Sequence, residues 1–164
     1  MMKVLGIDPG LADTGIGIVR GSGLDVCGYA YGNISTSKEE PVAQRLERIY
    51  TKICRVLADE RPDLMVLEDV FSLEKYPRSG IVLGKVCGVL LLASIQATVP
   101  LSEVPVRQAK QILTGNGRAS KQQLERAVRH TLGIPTPIRQ FHASDALGLA
   151  LIGLLRYASR PRLD

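Results

Sequence analysis

Three short runs of alternating or β-branched apolar residues open the chain, at 2–8, 14–20 and 24–34, separated by the turn-forming stretches PGLAD and RGSG. Runs of this kind joined by tight turns predict a three-stranded antiparallel meander. The period then changes. Val42, Leu46, Ile49, Ile53 and Val56 recur at helical spacing within residues 40–57, which predicts an amphipathic helix. In PDLMVLEDVF, Pro62 and Asp63 mark a turn, and residues 64–67 form the continuous apolar run of a central strand. Residues 79–97 are apolar on nearly every side and predict a long buried helix. LSEVPV reads as another short strand, which Pro105 confines to an edge or to its own last residues.

A helix over about 105–113 ends at Gly115, and Ser120 with Gln123 supplies a capping box for the next helix, about 121–132. Pro135 and Pro137 break the chain before a last helix, HASDALGLALIGLLRY. The order β-β-β-α-β-α-β-α-α-α belongs to the α/β class, a mixed sheet with helices on both faces. Repeats, low-complexity tracts and linkers are absent from the sequence, so residues 1–164 are read as one domain.

Composition narrows the picture further. The length suits one full hydrophobic core, and 45% apolar with 23% charged residues is ordinary for a globular protein. The N-terminus lacks the layout of a signal peptide. The longest apolar run, IVLGKVCGVLLLASIQATV, is interrupted by Lys85 and Gln96, so it is expected to be a core helix rather than a membrane span. Cys27, Cys54 and Cys87 are odd in number and widely spaced. They fit reduced thiols in the cytoplasm, not disulfides or a zinc site. A net charge of +5 and a pI near 9.3 permit a polyanionic partner. The distribution says more than the total: Lys75, Arg78 and Lys85 crowd one segment, and Arg107, Lys110, Arg118, Lys121, Arg126 and Arg129 another. A solvated surface of alternating charge is the plainer account of these clusters.

Three carboxylates stand where apolar elements end. Asp8 closes the first strand, Glu68 follows four apolar residues of LMVLE, and Asp145 lies in the first turn of the otherwise apolar last helix. Each alone has an ordinary explanation: a turn cap, an exit into water, a helix-dipole partner. A lone buried carboxylate is costly, however. All three together point to convergence on a hard divalent cation, which takes oxygen ligands. His142 is three residues before Asp145 and so shares its helix face. A neutral imidazole there is either a further ligand or a surface histidine. Asp69 alternates to the other side of its strand from Glu68 and is expected to stand outside the ligand set.

Four blocks in order, GIDPGLADTGIGIV, VLEDVF…RSGIVLGKVCGVLLLA, VRQAKQILTGNGRASKQQ and HASDALGLAL, resemble the motifs of RuvC-type Holliday-junction resolvases over essentially the whole chain. The resemblance implies a ribonuclease H-like fold with a five-stranded mixed sheet. It implies a homodimer that cuts four-way DNA junctions with Mg²⁺ or Mn²⁺ at a two-metal site, leaving 5′-phosphate ends. It also implies the RuvA–RuvB branch-migration complex as a partner, and no membrane. Carried over by position, it makes Asp8, Glu68, His142 and Asp145 the catalytic and metal-binding set. Many members have aspartate where this chain has His142, which bears on the choice of metal. Many also show Gln and Ala where this chain has Lys85 and Val86.

Phe71 would ordinarily pack in a core. The family uses an aromatic here near the junction centre to unpair bases, and Lys75 and Arg78 downstream agree with an exposed wedge. Lys110 and Lys121 align with basic positions used near the scissile strand. TGNGRASK, with Arg118 and Lys121 beside a capped helix start, is expected to cradle phosphate. Gly80, Gly84 and Gly88 would allow close helix approach, within the chain or to a second copy.

Two other readings belong to different classes. DPGLADTG also resembles the phosphate hairpin of actin-like ATPases, but these need a second lobe and an adenosine site for which 164 residues leave no room. A non-catalytic junction scaffold would have no use for clustered carboxylates.

Overall fold

The protein is described from a computed structural model that covers residues 1–69 and 77–157, with the side chains of Pro77 and Arg78 excepted. Strands β1 (Met2–Asp8), β2 (Asp13–Ser22) and β3 (Asp25–Ser35) form the expected meander. Helix α1 (Val42–Glu60) leads to β4 (Leu64–Asp69), and α2 (Pro77–Gln96) to β5 (Leu101–Pro105). Helices α3 (Val106–Thr114), α4 (Lys121–Leu132) and α5 (Phe141–Tyr157) complete the order predicted from the pattern. The sheet order is β3-β2-β1-β4-β5, with β1, β4 and β5 parallel. Pro105 is the last residue of an edge strand, where its missing N–H costs no ladder bond.

Alternation along the strands divides the core in two. Leu5, Ile7, Met65 and Leu67 pack against Ile49, Ile53 and Leu57 of α1 and Val86, Leu90 and Ala93 of α2. Val4, Val66 and Val104 face α5, with Leu124 and Val128 of α4 behind it. Helix α5 is the central pillar: its residues 146–152 are all buried. It lies so close to the sheet that a Cβ on Gly6 would stand 2.0 Å from the Ala146 carbonyl oxygen, and one on Gly15 2.0 Å from that of His142.

Two expectations need correction. Helix α2 is not buried throughout: about 28% of Ser79–Gln96 is covered. Ile81, Leu91, Leu92 and Ile95 are exposed, and a Cβ on Gly84 or Gly88 would meet nothing within 4 Å. Among the described residues α2 is the one helix long and apolar enough to cross a membrane, yet Val86, Cys87, Leu90 and Ala93 seal one of its sides onto the core. Apolar composition cannot by itself tell a face covered by the same chain from one left open. The second correction is local. Helix α5 begins at Phe141, so Asp145 falls just past its first turn rather than within it.

Candidate active site

Parallel pairing sets the first two carboxylates side by side. Ile7 lies opposite Leu67 in the β1–β4 ladder, so Asp8 and Glu68 follow as neighbours at the carboxyl ends of two central strands. Both belong to the face that carries Val4, Val66 and α5. Asp8 is buried and Glu68 half-buried. Opposite Asp8 on β2 stands Gly15, and the missing side chain lets the start of α5 descend onto the sheet. His142 is thereby seated on Asp8, with 2.6 Å between Nδ1 and Oδ2. Three residues on, Asp145 is half-buried on the same side of α5.

The electrostatics show how closely these groups are held. Burial, a hydrogen bond to Asp8 and the charges of Asp8 and Asp145 push the Glu68 carboxyl up to about 9. Burial and the charge of Asp8 push Asp145 up to about 6. The bond to Asp8 outweighs burial and raises the His142 imidazole above its ordinary value. Too many like charges share one desolvated corner, and protons are retained there to neutralise them. Cys87 answers to the same field: burial first, then Glu103 and Glu68, push its thiol up to about 11. Its side chain packs in the α1–α2 half of the core, on the other face of the sheet from Asp8 and Glu68.

The donor set suits a hard dication: three carboxylates and one imidazole, short of positive charge. As they lie, the donors are closed on one another, with His142 turned onto Asp8. Among the described residues no three His, Cys, Asp or Glu side chains are spaced to hold an ion. Chemistry and charge fit a divalent cation, and occupancy would have to exchange the His142–Asp8 contact and the Glu68 proton for the ion.

Two lysines supply the positive charge that reaches this corner. Lys121, the first residue of α4, acts on Glu68, His142 and Asp145; Lys110, on α3, acts on Asp145. Arg118 is exposed on the loop between these helices. The loop between these helices is shaped by its own hydrogen bonds and ends at the capped start of α4. Its N–H groups are already used: Asn116 donates to Thr114, Gly117 to Gln111, Arg118 to the Asn116 side chain, Ala119 to the Asn116 carbonyl and Ser120 to Gln123. What this stretch offers an anion is the side chains of Arg118 and Lys121 beside the start of α4. Phe71 and Lys75, and the side chain of Arg78, lie outside the described residues.

Two supporting residues escaped the sequence reading. Gln111 braces the loop from both ends, its Nε2 donating to the Gly115 carbonyl and its Oε1 accepting from Gly117. Glu125 is a buried carboxylate on α4 that accepts from the Ile138 N–H. Helical spacing does not mark these roles, because Gly115, Gly117 and Ile138 sit on irregular connections.

The family profile for crossover junction endodeoxyribonuclease RuvC matches residues 4–153. The chain is 40% identical over 150 residues to the crossover junction endodeoxyribonuclease RuvC of Geobacter metallireducens, covering 92% of this chain and 90% of that one. Among solved structures it is similar to Thermus thermophilus RuvC in complex with a Holliday junction substrate, with TM-score 0.85, 34% identity and 92% of each chain covered. The yeast mitochondrial Holliday junction resolvase Ydc2 shares the fold at TM-score 0.60 and 13% identity, over 94% of this chain and 78% of that one.

Proposed function

The chain belongs to the RuvC family of crossover junction endodeoxyribonucleases, and from that premise we propose that it resolves four-way DNA junctions by metal-dependent phosphodiester hydrolysis at Asp8, Glu68, His142 and Asp145. The observation that carries the reading is the pairing of Asp8 with Glu68 at two strand ends, closed over by His142 and Asp145 from one helix. A phosphodiester resists attack because its charge repels nucleophiles and its leaving alkoxide is poor. Asp8, Glu68, His142 and Asp145 would hold divalent cations, two Mg²⁺ or Mn²⁺ ions, which when bound would supply activation of a water and stabilisation of the departing 3′ oxygen, leaving 5′-phosphate ends.

The chain's own residues do the rest. Asp8 accepts hydrogen bonds from both Glu68 and His142, so it is the donor most central to the set. Glu68 holds a proton that ion binding would displace, and Asp145, pushed up to about 6, is ionised above that pH. Lys110 and Lys121 bring positive charge to the rim, suited to hold the scissile phosphate, while Arg118 extends this charge along the strand. Phe71, Lys75 and Arg78 form the proposed wedge at the junction centre. The open face of α2, with Ile81, Leu91, Leu92 and Ile95 around Gly84 and Gly88, supports a homodimer that would set two such sites on one junction. Work in the cytoplasm alongside the RuvA–RuvB branch-migration complex completes the proposal.

A mobile four-way junction labelled on each strand in turn tests this. Paired symmetric nicks with Mg²⁺ or Mn²⁺, their loss in chelator, and indifference to ATP are expected. Tight junction binding without nicks under any divalent ion would make the protein a scaffold instead.

A further inference from the structure

Residues 133–140 deliver α5, and with it His142 and Asp145, to the sheet, yet this connection holds no regular structure and carries two prolines. Ile134 and Ile138 bury their side chains among Leu124, Val128 and Leu132 of α4. That burial removes backbone groups from water, and each then requires a partner. The Ile138 N–H finds it in Glu125, whose Oε1 accepts at 3.0 Å. The same oxygen accepts from Arg129 Nε at 3.1 Å.

An i,i+4 ion pair on a helix needs no burial, and exposed pairs contribute little. Glu125 nevertheless keeps 7% exposure, at a desolvation cost that the Arg129 pair and the Ile138 bond together offset. Lys121 stands four residues before Glu125, so Lys121, Glu125 and Arg129 form one row along α4. One end of that row carries the charge that acts on Glu68, His142 and Asp145. Its middle holds the peptide four residues ahead of His142.

We propose that Glu125 is a positioning residue, fixing where Lys121 stands relative to the two α5 side chains by clamping the chain that enters α5. The inference rests on the proposed nuclease activity for its kinetic part only. Glu125→Gln keeps an acceptor for the Ile138 N–H, whereas Glu125→Ala removes it and leaves Arg129 without its partner.

Two measurements decide. Amide exchange of the folded, ion-free protein should quicken at Ile138 and across 138–142 in Glu125→Ala, and return toward wild type in Glu125→Gln. Unchanged exchange in Glu125→Ala would overturn the clamp whether or not the protein cuts DNA. In the second, junction cleavage is compared at a temperature where all variants are folded. Glu125→Ala should slow it about tenfold in wild type and hardly at all in Lys121→Met, because residues acting through one another do not add. Equal losses in both backgrounds would overturn the positioning role. A wild type that leaves junctions uncut would count against the proposed function, and the exchange result would still judge the clamp.

Discussion

Glu68 shows most plainly what crowding does at this site. Its carboxyl rises from 4.5 to about 9 in the fold, so across that interval the folded protein keeps a proton that the unfolded chain has released. The stability tied to Glu68 is therefore full below about 4.5 and is lost as pH rises through about 9. For Asp145 the corresponding loss runs from 3.8 to about 6. Ion-free protein should melt at steadily lower temperature from about pH 5 to about pH 9. Mg²⁺ should raise the melting temperature more at the alkaline end, where no proton competes. In Glu68→Gln the alkaline part of this slope should flatten. A Glu68→Gln profile identical to wild type would contradict the assignment.

His142 adds a prediction about the identity of the metal. A nitrogen donor in place of a fourth carboxylate favours Mn²⁺ over Mg²⁺, and His142→Asp should shift the preference toward Mg²⁺. Only the neutral ring can bind an ion, and Asp8 raises the ring above its ordinary 6.5. The acid limb of cleavage should accordingly lie above about 6.5 at scarce metal and move lower as metal increases. Wild-type rates, metal preference and pH profile in His142→Ala would reduce His142 to a residue that merely starts a helix.

Among the elements, α5 and α2 make opposite uses of glycine. Gly6, Gly15 and Gly17 let the α5 backbone rest on β1 and β2, with no space for a Cβ. Gly6→Ala should destabilise by roughly 1–3 kcal/mol or more, since the obstruction is backbone and cannot rotate away. On α2 a Cβ at Gly88 meets open space. Gly88→Ala should stabilise the monomer by about 0.5–1 kcal/mol through helix propensity. Urea midpoints of the two variants, moving in opposite directions, would check both. If a second copy packs on this face, Gly88→Leu should also weaken association in sedimentation, whereas an unchanged dimer would move the interface elsewhere.

At the scale of the whole molecule, element order and sheet class were legible because turn residues and hydrophobic period mark them locally. Asp8, Glu68 and Asp145 stood out because each breaks an apolar run, and the fold brings all three to one corner. What stayed hidden depends on contacts distant in sequence. Glu125 pairs with Arg129 at an ordinary helical spacing, and only Ile138, thirteen residues on, makes it a buried clamp. The exposed half of α2 reads like a core helix, since a face awaiting another surface has the same composition as one already covered. The bracing of the loop between α3 and α4 was equally hidden, since the side chains of Thr114, Gln111 and Asn116 take the N–H groups around its glycines.

The central claim is that the carboxylate corner does the cutting while the basic residues around it do the holding. Asp8→Asn separates the two most directly, measured as junction affinity and cleavage rate on the same four-way substrate. Affinity should stay near wild type, because the phosphate contacts are proposed to come from lysine and arginine. Cleavage should fall by roughly a hundred- to a thousandfold or more. An Asp8→Asn protein that cuts junctions at close to the wild-type rate would contradict the account.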